Sequence, residues 1–435
     1  MTDPSPDAQG RPRSILVVAN DGLPYPGCPV SGSGLRAWGL GQGLAARGHE
    51  VRFAMPAAAA GPATSTGPDR PLLYEDTGLR ALIAGIDPEV VVFQHWIRVL
   101  ATDGLDVPVA LDLHGPLMIE AAFQRHPDTD MAQLAAVKTA AFRRADFVTC
   151  AGEKQRQYFL PWLLLAGGDP TAESIAVIPV SMAPETPEHL WPDTEVNFVY
   201  GGMFLPWQDP SVGIDTLVSV LESEGTGRLD FFGAPHPQFE MELGVFEHLE
   251  ERLRRSDRVR VHGLRPRDEL LEHYRRSHVA LDLMRRNNER ELAFTTRTVE
   301  YLWCGLPVVY HDYGELSPMI REYEAGWVTA PDDAAELEKI LRSILHDRED
   351  VRRRSVNAQQ LARERLNWER TIDPLDAFCR RPVRASRGPS GVLVGDPREA
   401  RDLRAELDAL HSTKTFRALR PFRRAYARLR GRRVP

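Results

Sequence analysis

The chain has 435 residues, 43% of them apolar and 26% charged, with a formal charge of -7. That length predicts two domains, each large enough for its own core, and the acidic balance argues against nucleic-acid binding as the main role. The four cysteines, Cys28, Cys150, Cys304 and Cys379, are far apart and form no CxxC pair, which argues against a disulfide scaffold or a zinc site and for a reduced, cytoplasmic chain.

Residues 1–13 are polar and proline-rich and are expected to be disordered. They lack the apolar core of a signal peptide, and no stretch of the chain reaches the ~20 apolar residues of a membrane span. The run 15–19 is a buried-strand pattern. A loop with Gly22, Gly27, Gly32 and Gly34 follows, then a helix over 35–47 with Leu35, Trp38, Leu40 and Leu44 on one face, ended by Gly48. Further strands are expected from 49–53, 89–93, 107–111, 147–150 and 176–179, and the apolar run 160–168 reads as part of a core helix. Asp128-Thr129-Asp130 spells a DxD metal motif, but it follows no apolar strand, and Asp130 reads as the cap of a helix over 131–138. A proline-rich joint over 180–192 precedes a second series: strands over 197–200, 229–232, 259–262, 279–283 and 308–311, with helices over 214–222, 269–276, 334–345 and 367–381. Beyond it lie a Ser/Gly/Pro/Arg linker over 384–395, a short helical pattern over 402–410 and a basic tail. Strands alternating with helices predict an α/β chain of two tandem doubly wound, Rossmann-like domains, 14–190 and 191–381, followed by a linker and basic tail over 382–435. The ligand of such sheets sits at the carboxyl ends of the strands, here the cleft between the two domains.

The segment 291–310, ELAFTTRTVEYLWCGLPVVY, places Thr295, Thr296, Arg297 and Glu300 at the start of a short helix. Val299, Leu302 and Trp303 share its core face. The free N–H groups around Thr296 and the helix dipole make this end an anion site, suited to phosphate. Arg297 would add a charged fork, and Glu300, one turn on, suits a hydroxyl donor such as a ribose. The plain alternative is an ordinary threonine cap and Gly-Leu-Pro stop. Gly32, Ser33 and Gly34 follow a strand and open a helix, so backbone amides there could approach a phosphate or sugar. The loop is not GxGxxG, and no acid stands at the end of the second strand, which disfavours NAD. Arg36 and Glu120 are further candidates on the first domain, each with a solvated helix face as its alternative. His114 stands at a strand end facing the cleft, with Asp112 on the same strand face placed to orient it. Gly201 and Gly202 would let a diphosphate approach the backbone, and Trp207 and Asp209 would shape that loop.

These segments resemble the GT-B glycosyltransferases of family 4 (group 1). RELAFTTRTVEYLWCGLPVVY resembles the donor-binding segment, SGSGLRAWGLGQGLAARGHEVRF the glycine-rich first loop, VALDLHGP the strand end with an active-site histidine, VNFVYGGMFLPWQDPSVGIDTL the start of the second domain, and RVRVHGLRPRDELLEHYRRSHVALDL the unit before the donor site. Together they span residues 14–380, and their order and spacing carry the resemblance. It implies an acceptor-side first domain, a donor-binding second domain, and transfer of a hexosyl group from a nucleotide-diphospho-sugar with retention, with no metal and no other cofactor. Two departures stand out. The usual Glu, seven residues, Glu would place an acid at Leu292; Glu289 and Glu291 flank it, and the spacing is closer to a branch of cell-surface polysaccharide transferases, with Glu289 as the favoured sugar-facing carboxylate and Glu291 as its rival. The family's Arg and Lys after the first strand of the second domain are missing, so Arg297, Arg290, Arg285 or Arg286 must supply that charge. The implied assignment is therefore His114, Glu289 and Arg297 as catalytic; Gly201, Gly202, Thr296, Arg297, Glu300 and Arg290 as donor-binding; and Gly32, Ser33, Gly34, Arg36 and Glu120 on the acceptor side. The acceptor is a glycan, glycolipid or small molecule. The tail over 411–435 has Phe416, Leu419, Phe422, Tyr426 and Leu429 spaced among arginines, which fits an anionic membrane surface at the inner face of the cell membrane. Transfer to a secondary metabolite, a sugar-nucleotide epimerase on the same fold and a non-catalytic partner protein are the alternatives.

Overall fold

A computed structural model describes residues 10–25, 28, 30–61, 70–126, 129–171, 175–235 and 246–387. Both sheets are built from short apolar runs that only a two-sided burial accommodates. β1 (Ser14–Val18), β4 (Val90–Gln94) and β5 (Val109–Leu113) are buried along almost their whole length, as expected for parallel strands covered on both faces. With β2 (Glu50–Pro56), β3 (Leu72–Tyr74), β6 (Phe147–Cys150) and β7 (Ala176–Val177) they form a seven-stranded parallel sheet in the order β3-β2-β1-β4-β5-β6-β7. The second sheet has six parallel strands, β8 (Asn197–Phe204), β9 (Arg228–Pro235), β10 (Val259–Val261), β11 (Val279–Asp282), β12 (Val308–His311) and β13 (Gly326–Thr329), in the order β10-β9-β8-β11-β12-β13. In each sheet the order reverses once, between β1 and β4 and between β8 and β11, and ligands of such sheets bind outside the strand ends at these reversals. The chain has the two doubly wound domains that the sequence predicts.

Several expectations change in detail. Residues 10–13 are ordered, because Arg11 and Arg13 both pair with Glu89. The predicted terminal helix breaks in two, and its second part, Asp373–Arg380, does not extend the second domain. Ile372, Leu375 and Phe378 join the core around Ile15, Val17 and Leu40 of the first, and Phe378 stacks on Phe147 with ring centres 4.9 Å apart. The run 160–168 is only partly core: Leu163 is buried, whereas Leu164 and Leu165 are exposed at the end of the helix Glu153–Leu165. Asp130 caps the helix Met131–Arg144 by accepting from the N–H groups of Ala132 and Gln133. Among the described residues no cluster of His, Cys, Asp or Glu could hold a metal ion, and no helix is long and apolar enough to cross a membrane. The linker from 388 and the basic tail lie outside the described residues.

The two domains share a core. Leu35 and Ala151 of the first pack in one apolar cluster with Phe294, Val299 and Leu302 of the second. Polar contacts cross the same boundary. The carboxylate of Glu315 accepts from the N–H of Glu153 at 2.7 Å and of Lys154 at 3.4 Å, the first residues of the helix Glu153–Leu165, and Gln155 donates to the carbonyl of Leu292 at 3.0 Å.

Candidate active site

The helix Gly32–Ala46 begins directly after the loop from β1. Ser31 caps it, its hydroxyl accepting from the N–H of Gly34. Gly34 has no room for a side chain, because a Cβ there would lie 1.7 Å from the carbonyl oxygen of Gly22. Across the cleft, the helix Thr296–Trp303 begins after Thr295, which makes no side-chain cap. The two helix starts face each other: a Cβ on Gly32 would lie 3.1 Å from Thr296 Oγ1 and 3.9 Å from His114 Nε2. Ser33 sits beside this point, its hydroxyl 3.3 Å from that of Ser31. Among the described residues Thr296 Oγ1, at the junction, is buried without a hydrogen-bond partner, as are Nη1 of the adjoining Arg297 and Nδ1 of His114, whose Nε2 is the ring nitrogen near Gly32. Buried polar atoms are normally paired, so an unpartnered hydroxyl between two facing helix starts suits a polar ligand.

Arg297 extends over the second sheet. Its guanidinium lies against the backbone of Gly202, where a Cβ would come within 2.5 Å of its central carbon. It donates to the side-chain carbonyl of Gln208 at 2.6 Å and stands 5.2 Å from the ring centre of Tyr200. Gly202 thus makes room for a cation, whereas Gly201 makes room for Tyr274, whose hydroxyl would meet a Cβ there at 2.0 Å. The hydroxyl of Tyr301 fixes the Gly201 backbone, accepting from its N–H at 2.8 Å and donating to its carbonyl at 3.2 Å. Trp207 is buried, its carbonyl accepting from Asn287, while Asp209 caps Ser211. Glu300 is buried, one oxygen taken by Arg267 at 2.7 Å.

The two rival carboxylates have different surroundings. Glu289 is 2% exposed and bound by Arg290 through two hydrogen bonds, of 2.5 and 2.7 Å. Glu291 lies at the surface, paired with Arg286. Of the four arginines that could supply the missing charge, Arg285 and Arg286 are exposed and Arg290 is committed to Glu289, which leaves Arg297 with a donor unused.

Glu120 of the helix Leu117–Gln124 is partly buried. Its carboxyl packs against Gly115, next to His114. Burial and the neighbouring Glu289 push its pKa up to about 8, with Arg290 acting in the opposite direction. Burial, helped by Arg36 and Arg290, holds His114 down at about 4, so its imidazole is neutral at neutral pH.

Arg36 is corrected more strongly. It is 2% exposed, grips Asp112 through two hydrogen bonds and donates to the carbonyls of Ile178 and Pro179, so it ties the first helix to the strand ends instead of facing water or a ligand. Asp112 is likewise not available to orient His114, because its oxygens serve Arg36 and the hydroxyl of Thr149. Sequence reasoning missed Arg267, Gln208, Tyr301 and Asp282. All four lie in segments that carry the family resemblance, but nothing local marks their side chains as facing the site.

Residues 185–361 match the family model described as glycosyl transferases group 1. The matched segment covers most of the second domain. No curated protein matches the chain. Solved structures place the group 1 domain within a complete two-domain GT-B fold. The chain is similar to a sucrose-phosphate synthase from Thermosynechococcus elongatus, at 19% identity over 84% of this chain and 98% of that one, with a TM-score of 0.65. It is similar to Anabaena HepE, solved in complex with UDP-glucose, at 16% identity over 83% and 98%, TM-score 0.58. It is also similar to WaaG, a glycosyltransferase involved in lipopolysaccharide biosynthesis, at 16% identity over 85% and 100%, TM-score 0.58.

Proposed function

We propose that this group 1 protein transfers a hexosyl group from a nucleotide-diphospho-sugar to a hydroxyl of an acceptor, with retention and without a metal. The observation that carries the reading is the meeting of two helix N-termini, one from each domain, at Thr296 Oγ1 and His114 Nε2, with the guanidinium of Arg297 following on the second helix. Two dipole ends and a guanidinium suit a diphosphate, and the same groups stabilise the charge that develops on it as it leaves. The acceptor oxygen bonds to the anomeric carbon as the bond from that carbon to the diphosphate oxygen breaks. The electron pair of that bond stays on the diphosphate, which also takes the acceptor proton.

In this reading Glu289, held rigid by Arg290, faces the sugar hydroxyls, and Glu300, steadied by Arg267, faces the ribose. His114, neutral, stands where donor and acceptor meet. Assembly of a cell-surface polysaccharide or glycolipid is the setting we favour. HepE in complex with UDP-glucose and WaaG in lipopolysaccharide biosynthesis make UDP-glucose and glycolipid acceptors the first substrates to try. The basic tail would then bring the enzyme to the inner face of the membrane.

The test is a turnover screen. Nucleotide sugars are incubated with glycan and glycolipid acceptors, and the released nucleoside diphosphate and the anomeric configuration of the product are measured. Acceptor-dependent release with retained configuration is expected. Release of diphosphate from no donor, or an inverted product, would contradict the proposal.

A further inference from the structure

A small pocket opens at the carboxyl ends of β11 and β12, lined by Asp282, Arg290, Thr295, Tyr310 and His311 among others. It has room for one water-sized group. Asp282 is 3% exposed. One of its carboxylate oxygens accepts from the hydroxyl of Thr298. The other, Oδ1, is buried with no partner among the described residues. Thr295 gives its hydroxyl proton to Thr298 at 2.9 Å, and its oxygen is 3.4 Å from the hydroxyl of Tyr310. An ionised carboxylate only accepts, so Oδ1 asks for a hydrogen-bond donor, and leaving it unpaired costs stability that a bound donor returns.

The pocket has a defined place in the site. Arg290 lines it and also holds Glu289. Thr295 lines it and immediately precedes Thr296 and Arg297. On the donor reading, a sugar between the helix start and Glu289 lies beside residues that this pocket shares with both. We infer that the pocket holds one free hydroxyl of the transferred sugar, which donates its hydrogen bond to Asp282 Oδ1, and so selects a donor unsubstituted at that position. This rests on the donor reading proposed above. An acyl or acetamido group exceeds the available space.

Binding is measured by calorimetry on the full chain with UDP, UDP-glucose, GDP and GDP-mannose, and with the monodeoxy analogues of whichever sugar nucleotide binds. In the wild type, loss of one particular hydroxyl should weaken binding about tenfold. Asp282→Asn should weaken the parent sugar nucleotide by a similar factor, leave the nucleoside diphosphate unchanged, and make that one deoxy analogue bind no worse than the parent. Tyr310→Phe, which leaves the Asp282–Thr298 bond in place, should reproduce a smaller loss tied to the same hydroxyl, and it serves alone if Asp282→Asn does not fold. The inference is overturned if the nucleoside diphosphate weakens equally, since Asp282 would then act only by supporting the helix end, or if the losses from deoxygenation and substitution add in full. If the wild type binds neither UDP nor GDP, the donor reading itself falls and takes the pocket with it.

Discussion

Thr296 carries a hydroxyl that is buried without a partner among the described residues, a cost that a bound polar ligand offsets. Thr296→Val keeps the shape and removes the orphan. Thermal unfolding should therefore show equal or slightly higher stability, by up to ~1 kcal/mol, while affinity for nucleoside diphosphate falls. A threonine with a purely structural role would lose stability and leave binding alone. Glu120 and His114 make opposite contributions with pH. Glu120 titrates at about 8 when folded against an ordinary 4.5. Between these values the folded form binds more proton than the unfolded, so this contribution is full at the low end and is lost as pH rises through about 8. Glu120→Gln should remove that loss in denaturation curves between pH 4.5 and about 8. His114 titrates at about 4 against 6.5. Its contribution is full above 6.5 and is lost as pH falls through about 4, so His114→Asn should flatten the acid limb.

The helix Glu153–Leu165 starts at Gly152, which offers no capping side chain; Glu315 from the other domain supplies the carboxylate instead. Glu315→Ala should cost ~0.5–2 kcal/mol, the usual range for a lost cap, and should lower donor affinity through looser docking of the domains. Glu315→Gln should recover part of both, read by thermal unfolding and calorimetry. The helix Asp373–Arg380 makes a second element-scale test. Phe378→Ala removes the ring stacked on Phe147 and should cost ~3 kcal/mol or more, although the residue lies far along the chain from the sheet it covers. These two elements also show where legibility in the sequence ends. Runs such as 15–19 and 308–310 are apolar throughout, and their burial follows from composition. β3 and β13, of three and four residues, are too short to carry a period. The helix Arg348–Arg365 hides its buried positions, Val351, Ser355, Ala358 and Leu361, among arginines and glutamines. At the site, the helix start at Thr296 was readable because capping, dipole and apolar face are local. The Arg267–Glu300 pair, the hold of Arg36 on Asp112 and the unpaired oxygen of Asp282 join residues far apart in the chain, and local periodicity does not encode such partners.

Across the whole molecule, two parallel sheets meet through a shared apolar cluster and a handful of polar bridges, so that strand ends and helix starts from both halves line one cleft. The first domain brings Gly32, His114 and Glu120 to it; the second brings Gly202, Glu289, Thr296, Arg297 and Glu300. Arg297 lies against Gly202 on the first strand of the second sheet. The most direct test is calorimetric titration of the full chain with nucleoside diphosphates, wild type beside Arg297→Ala. The account predicts that one nucleoside diphosphate binds the wild type without added metal, and that the variant, folded by circular dichroism, binds it at least about tenfold more weakly. Binding of no nucleoside diphosphate, or equal affinity in the two proteins, would contradict it.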